Sequence, residues 1–264
     1  MSPDPALTYG RYLRIEELLA LQQPLSPGPE HDELLFIIIH QVYELWFKEL
    51  LHEADRAAAL LAQDDTPRAQ HTLKRFLTVL KVLVAQLDIL ETMTPIEFLS
   101  FRERLEAASG FQSDQFRQLE FLLGVKTPAA LTRFPEGSRA RLALQVRYEA
   151  PTLWDAFLRY LAREGYEVPA AHLERDVTAP IAPSDDVQAL LVTVYRGDSK
   201  NAELCERLVD LDEGIQEWRY RHLKMVQRTI GTRTGTGGSS GAEYLGTTVG
   251  HPIFPDLWAV RTKL

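Results

Sequence analysis

The sequence predicts an all-α fold, and three observations support this prediction. Prolines are absent between Pro29 and Pro67, between Pro67 and Pro95, and between Pro183 and Pro252. Because proline breaks helix interiors, long helices can run through these windows. Apolar residues recur there at spacings of three and four, the helical period, and no segment alternates convincingly like a strand. We therefore expect one domain of packed long helices over residues 1–264.

The composition excludes several classes of protein. The 264 residues are 45% hydrophobic and 25% charged, which is typical of a globular chain and excludes disordered and collagen-like proteins. A net charge of −8 repels phosphate backbones, so nucleic acid is not expected as a partner. The apolar run 34–39 is too short to span a bilayer, and the chain starts without a signal-peptide pattern. With Cys205 as its one cysteine, the chain is expected in the reducing cytoplasm.

The first two windows each predict one long helix. Residues 33–63 read ELLFIIIHQVYELWFKELLHEADRAAALLAQ, rich in the helix formers Leu, Ala and Glu. The stretch LLFIII alone is also consistent with a buried strand, but it continues without a turn signal, which favours a helix. Residues 68–90 repeat Leu and Val at helical spacing and predict the second helix.

Helix starts are visible further along the chain. Thr94, Pro95 and Glu97 form the pattern of a capping box, which predicts a helix that carries Phe98, Phe101, Arg102 and Leu105. Thr152 followed by Asp155 predicts another start. Residues 169–183 have the composition of a surface connection, and residues 201–230 predict one long helix.

The segment GTRTGTGGSSG (231–241) is the one low-complexity stretch. It lacks the GK[ST] of a P-loop and follows a helix rather than a strand, so phosphate-binding and dinucleotide-binding loops are excluded. Two interpretations remain: a flexible hinge, or a mobile lid that offers Thr and backbone N–H groups to a small ligand.

The seven histidines do not follow common metal-binding spacings. There is no HxH or HExxH, and the Glu-x-x-His of Glu49 and His52 has no second copy, as a di-iron carboxylate bundle would need. A single cysteine also excludes a four-cysteine zinc site or iron–sulfur cluster, and no CxxCH is present for covalent haem attachment. His52 is therefore expected to be a solvated helix residue.

Two histidines lie on apolar helix faces. His40 shares a face with Phe36, Tyr43 and Phe47, and His222 lies similarly among Ile215, Trp218, Met225 and Val226. Each could be a core histidine bonded to a carbonyl group. Alternatively, one is a metal ligand and the other an acid–base or hydrogen-bonding group, an arrangement that suits haem better than zinc.

Spacing alone does not decide the roles of the other candidate residues. Arg102 could form a surface ion pair or clamp a carboxylate. Tyr9 and Tyr12 are three residues apart and are by default a packing pair. Cys205 as a thiolate ligand is a minor alternative to a small buried residue.

Several long blocks resemble the tryptophan 2,3-dioxygenase family, haem enzymes that open the indole ring of L-tryptophan. They are YGRYLRIEELLALQQPLS (9–26), HDELLFIIIHQVYELWFKELLHE (31–53), LETMTPIEFLSFRERLEAASGFQSDQFRQLEFLLG (90–124), ELCERLVDLDEGIQEWRYRHLKMVQRTIG (203–231) and RTGTGGSSG (233–241). The blocks occur in the family's order and run through almost the whole chain.

The resemblance implies a haem pocket with residues in defined roles. His222, in YRHLKMVQ, matches the proximal haem ligand, and His40, in IIHQ, matches the distal histidine that faces the indole N–H. Ser109 and Gly110, in SGFQS, match the segment over the distal side of the haem. The implied cofactor is haem b, one per subunit and ferrous in the active form.

It also implies substrate-binding residues. Phe36 matches an aromatic wall of the indole pocket, and Arg102, in FRERL, matches the arginine that holds the substrate carboxylate. Thr236, in GTGG, matches a lid threonine near the substrate ammonium and carboxylate groups. Tyr9 and Tyr12 match tyrosines that reach a neighbouring subunit's site, so residues 1–25 are expected to cross to that subunit.

Phe98 departs from the pattern of some bacterial members of the family, which have a carboxylate-binding tyrosine at this position.

The implied assembly is a homotetramer, a dimer of dimers, that acts on L-tryptophan and O2. Two alternatives remain: a related haem enzyme that oxygenates another aromatic amino acid or a substituted tryptophan, and a non-enzymatic helical module.

Overall fold

The fold is described by a computed structural model covering residues 6–28, 30–197, 199–235 and 241–264. Within these ranges all regular structure is helical, without a strand, as the sequence predicts. The α-helices are α1 (Tyr9–Leu13), α2 (Ile15–Leu19), α3 (Asp32–Ala62), α4 (Thr66–Leu90), α5 (Pro95–Arg102), α6 (Asp114–Leu123), α7 (Pro128–Leu131), α8 (Arg139–Glu149), α9 (Leu153–Arg163), α10 (Ala170–Leu173), α11 (Asp185–Gly197), α12 (Ser199–Ile230), α13 (Gly241–Thr248) and α14 (Pro255–Ala259). Short 3₁₀ turns lie at Glu103–Leu105, Gly110–Gln112 and Val260–Thr262. Among the described residues, no helix combines the length and apolar character needed to cross a membrane.

The three proline-free windows hold the three longest helices, α3, α4 and α12, so these predictions are confirmed to within two residues. Helix α4 starts earlier than predicted because the side chain of Asp65 accepts a hydrogen bond from the backbone N–H of Arg68, at 3.2 Å. Pro67 then lies in the first turn, where a missing N–H is tolerated.

Both predicted helix starts are present, and each has a capping box. In α5 the Thr94 N–H donates to Glu97 Oε2 at 2.7 Å and the Glu97 N–H donates to Thr94 Oγ1 at 3.4 Å. Thr152 and Asp155 exchange the corresponding bonds at the start of α9. The expected extent of α5 was too long, since Leu105 lies in the 3₁₀ turn beyond it. Glu106, with φ of 46°, turns the chain away there.

The predicted surface connection, residues 169–183, contains no buried residue and only the short helix α10. It is nevertheless anchored, because Arg175 donates two hydrogen bonds to the buried carboxylate of Asp155, at 2.6 and 2.9 Å. Burial opposes ionisation of Asp155, but the bonds from Arg175 and Thr152 keep its pKa below the usual range.

Helix α4 packs against both α3 and α12, and these helices form the body of the main core. The approach of α12 to α4 is close at Gly214, where a Cβ atom would lie 2.7 Å from Leu80 Cδ2. A smaller apolar cluster joins α6, α7 and α8 around Phe121 and Leu144. The long helices are thus fixed along their lengths, and the site described below lies between α3 and α12.

A buried carboxylate holds the C-terminal segment against α12. Asp212 is fully buried, and its Oδ2 accepts hydrogen bonds from the N–H groups of Ile253 and Phe254 and from Trp258 Nε1, at 2.8–2.9 Å. Two buried backbone N–H groups and the indole N–H of Trp258 therefore depend on one oxygen.

Replacing Asp212 with alanine is expected to lower the free energy of unfolding by about 3 kcal/mol or more, because these donors would lose their acceptor. For a chain of this length the melting temperature should fall by at least about 6 °C, measured by thermal unfolding monitored by circular dichroism. Asp210→Ala is the control, since its exposed carboxylate lies 3.4 Å from Arg207 and should change stability by less than about 0.5 kcal/mol. Equal melting temperatures for the two variants would contradict the anchoring role of Asp212.

Candidate active site

One large cavity lies among α3, α5, α6, α12 and α13, next to the 3₁₀ turn Gly110–Gln112. The empty space between its walls, with the open mouth included, is about 1520 Å³. Its wall is mainly apolar and aromatic; the rings that line it include Phe36, Phe47, Phe98, Phe111, Phe116, Trp218 and Tyr244. Such a wall is suited to a planar apolar group.

The structure brings together seven of the predicted site residues in this cavity. They are Phe36, His40, Phe98, Arg102, Ser109, Gly110 and His222. Thr236 lies outside the described residues. Tyr9 and Tyr12 do not line the cavity and are exposed, at 76% and 71% of their surface.

His222 lies on α12, and one of its ring nitrogens has no hydrogen-bond partner among the residues that the structure describes. Its ring stacks on Trp218, one turn earlier, with the centroids 5.0 Å apart. Nδ1 is buried and makes no hydrogen bond within the described residues. His222 is therefore not the carbonyl-bonded core histidine that the sequence also allowed. Burial, with smaller contributions from the neighbouring His40 and Arg117, lowers the pKa of His222 to about 4. The ring is therefore neutral at pH 7, the form that binds metals.

His40 faces the same cavity from α3, but its ring is fixed differently. Its Nδ1 lies 2.7 Å from the carbonyl oxygen of Phe36. Because a carbonyl oxygen only accepts, Nδ1 carries the ring proton and Nε2 is the acceptor. Burial lowers the pKa of His40, although the bond to Phe36 and the charge of Glu44 act in the opposite direction. His40 is thus a neutral imidazole with an acceptor nitrogen.

An aromatic group adjoins His40. The ring of Phe36 lies 4.0 Å from the imidazole, centroid to centroid, and 5.8 and 5.5 Å from the rings of Phe98 and Phe101. Phe98 and Phe101 meet edge to face at 5.5 Å. These contacts give this part of the wall a fixed flat surface suited to an aromatic ligand.

Arg102, the last residue of α5, keeps hydrogen-bonding capacity at the cavity wall. It donates through one terminal nitrogen to the carbonyl oxygen of Thr234, and its buried Nε has no hydrogen-bond partner among the described residues. It forms no ion pair with a described carboxylate, so the surface ion pair considered from the sequence is not found. A guanidinium with unused donors in a partly buried place is suited to bind a carboxylate.

A buried charged cluster was not predicted from the sequence. Arg117 and Arg219, at 7% and 5% exposure, both pair with Glu120, at 2.5 and 3.3 Å. The three side chains line the cavity, and the buried Nε of Arg117 has no hydrogen-bond partner in the described part of the chain. Spacing could have suggested the pair of Arg117 with Glu120, three residues apart on one helix, but not its burial or the approach of α12.

A further wall residue, Glu44, was also missed. It lies on α3 one turn after His40 and lines the cavity. Gln115 on α6 donates from Nε2 to both the main-chain oxygen and Oε2 of Glu44, at 2.8 Å each. The helical spacing of His40 and Glu44 is visible in the sequence, but the contact with Gln115 joins residues 71 positions apart.

Comparison with known proteins agrees with the family resemblance seen in the sequence. The family model described as tryptophan 2,3-dioxygenase matches residues 2–135 and 185–264. A relative with that name from Herpetosiphon aurantiacus is 58% identical over 262 residues, covering 98% of this chain and 99% of the relative. The relatives of that name from Anaeromyxobacter sp. (strain K) and Caulobacter vibrioides are 54% and 46% identical and cover 98% of this chain and 97% and 98% of their own lengths. The chain therefore belongs to the tryptophan 2,3-dioxygenase family.

Proposed function

We propose that this chain is a haem-dependent dioxygenase that cleaves the C2–C3 bond of the indole ring of L-tryptophan with O2 to give N-formyl-L-kynurenine. The observation that carries the proposal is the pair of neutral imidazoles that line one large apolar cavity from α3 and α12. Membership of the tryptophan 2,3-dioxygenase family supports this reaction, and the side chains that line the cavity are suited to it.

The residues of the cavity fit a haem. His222 is a neutral imidazole that stacks on Trp218, so it would be the residue that holds the haem iron. The apolar wall suits the porphyrin face, and the unpartnered Nε of Arg117 is a buried cationic donor for a porphyrin carboxylate. We propose haem b, one per subunit, with Ser109 and Gly110 among the cavity residues that would hold it. When bound in the ferrous state, the haem supplies the O2 chemistry that amino-acid side chains lack.

The remaining site residues bind and orient the substrate in this proposal. Arg102 holds the carboxylate, and Phe36 packs against the indole ring. Thr236 is assigned to the ammonium and carboxylate groups from the family pattern alone. Phe98 has no hydroxyl group, so carboxylate binding depends more heavily on Arg102. Such fixed placement can remove roughly 7–11 kcal/mol of an activation barrier at best.

His40 orients the indole in this mechanism. Its Nε2 accepts a hydrogen bond from the indole N–H, while Nδ1 stays bonded to Phe36. Because an indole N–H is a very weak acid, removal of its proton is not required before the ring is attacked. His40 therefore acts mainly by orienting the ring and can assist later proton movement.

We also propose a homotetramer, a dimer of dimers located in the cytoplasm, in which Tyr9 and Tyr12 reach a neighbouring subunit's site. The support is the surface of the N-terminal segment, because α1 and α2 contain no buried residue. Leu7 and Leu19 are 73% and 70% exposed, and such apolar surface is typical of a subunit contact.

The function is tested by an anaerobic absorbance titration of the reduced, haem-loaded protein with L-tryptophan, followed by admission of labelled O2 and mass spectrometry of the product. We expect a Soret band, a tryptophan-dependent spectral change and a product containing two labelled oxygen atoms. One labelled atom would indicate a monooxygenase instead. A protein that stays colourless with added haem would refute the proposal.

Replacing His40 with alanine should lower kcat/KM by about tenfold, because one hydrogen bond to the indole is lost. The haem content should stay that of the unaltered protein, measured by the Soret absorbance per chain. Loss of the Soret band in this variant would instead identify His40 as the axial ligand.

A further inference from the structure

Glu44 is a carboxylate on the cavity wall to which neither the sequence nor the proposed mechanism gives a role. It lies on α3 four residues after His40, so both side chains project from one face of the helix. The two hydrogen bonds from Gln115 tie its backbone and its carboxylate to α6. The negative charge is therefore held in a defined place beside the distal imidazole.

Glu44 forms no ion pair with a cationic side chain among the described residues. Arg117 and Arg219 pair with Glu120, and Arg102 donates to the carbonyl of Thr234. The other titratable groups of the wall are Tyr43 on α3, Arg102 on α5, Arg117 and Glu120 on α6, Arg219 and His222 on α12, and Tyr244 on α13. With no ion pair to neutralise it, the Glu44 charge acts on His40, whose pKa it raises against the effect of burial.

The tautomer of His40 determines what this charge can do. Nδ1–H is already bonded to Phe36, so Nε2 is the nitrogen available to a ligand. A nearby anion makes a lone pair more attractive to a hydrogen-bond donor, and the effect is larger in an apolar cavity than in water.

We propose that Glu44, held by Gln115, is a positioning residue that strengthens the hydrogen bond from the substrate's indole N–H to His40 Nε2. The inference rests on the proposed function and deepens it, because it assigns a source for recognition of the N–H group. Glu44 acts through His40.

The test compares L-tryptophan with 1-methyl-L-tryptophan, which has a methyl group in place of the indole hydrogen. Dissociation constants are measured by anaerobic absorbance titration of the reduced, haem-loaded protein and of Glu44→Gln, which preserves side-chain shape. The substitution should weaken tryptophan binding about three- to tenfold and leave 1-methyltryptophan binding unchanged. Equal weakening of both ligands, or no weakening of either, would overturn the proposal.

Two further variants and the pH profile of kcat/KM distinguish the proposed role of Glu44 from a purely structural role. Glu44→Asp should recover part of the preference for tryptophan, whereas Glu49→Gln, on the same helix outside the cavity wall, should leave both dissociation constants unchanged. Removing the Glu44 charge should lower the pKa of His40, so the acid limb of kcat/KM should move to lower pH in Glu44→Gln. An unshifted acid limb would contradict the proposal.

The same titrations distinguish failure of the proposed function from failure of the proposed role of Glu44. If the unaltered, haem-loaded protein shows no spectral response to tryptophan, the function itself is wrong. If the unaltered protein responds and Glu44→Gln discriminates between the two ligands equally well, only the role of Glu44 is wrong.

Discussion

His222→Ala is expected to bind haem at least about 100-fold more weakly than the unaltered protein, with loss of activity. Removing a residue that only supports a ligand costs about 10–100-fold in metal affinity, so removing the ligand itself should cost more. The measurement is the Soret absorbance per chain after haem titration and gel filtration.

Two controls separate loss of the ligand from loss of the fold. Added imidazole can enter the space left by the truncated side chain, and it should restore a Soret band in His222→Ala if the chain is folded. His52→Ala should bind haem normally, because His52 is exposed on α3 and does not line the cavity. A His222→Ala protein with full haem content and turnover would refute the ligand assignment.

The helices were predictable because their signals are local. The period of the apolar residues and the proline-free windows predicted α3, α4 and α12, and the Thr94 and Thr152 capping boxes each involve residues only three positions apart. The error at Leu105 also has a local cause, since nothing in the preceding pattern indicates the positive φ of Glu106.

The roles of the two histidines were not separable from the sequence. His40 and His222 both lie on apolar helix faces, and both could have been carbonyl-bonded core residues. His40 bonds to a carbonyl group, whereas the buried Nδ1 of His222 has no hydrogen-bond partner within the described ranges. This difference depends on side-chain orientation and on what packs nearby, which spacing does not encode.

The polar wall of the cavity was missed because it depends on contacts between distant segments. Arg219 meets Glu120 across 99 residues, and Gln115 meets Glu44 across 71. A charged residue on a helix is usually solvated, so sequence alone gives no reason to bury these side chains. The family resemblance assigned roles to seven residues now found in one cavity, but it did not extend to Glu44 or Arg117.

Arg102→Leu is expected to raise the dissociation constant and KM for L-tryptophan by about 100-fold while haem content stays unchanged. A bidentate guanidinium–carboxylate contact provides two charge-assisted hydrogen bonds, and each such bond contributes about 1.5–3 kcal/mol. Phe98 cannot replace them, because its ring has no donor.

Tryptamine makes this prediction specific, because it keeps the indole and ammonium groups but has no carboxylate. Its dissociation constant should be nearly the same for the unaltered protein and Arg102→Leu, so the preference for tryptophan over tryptamine should collapse. Arg102→Lys should keep only part of that preference, because an ammonium group can donate to the Thr234 carbonyl but lacks the planar fork that matches a carboxylate. Arg139→Leu, an exposed change on α8, should bind both ligands normally. Equal weakening of tryptophan and tryptamine in Arg102→Leu would show that Arg102 shapes the cavity rather than binding the carboxylate.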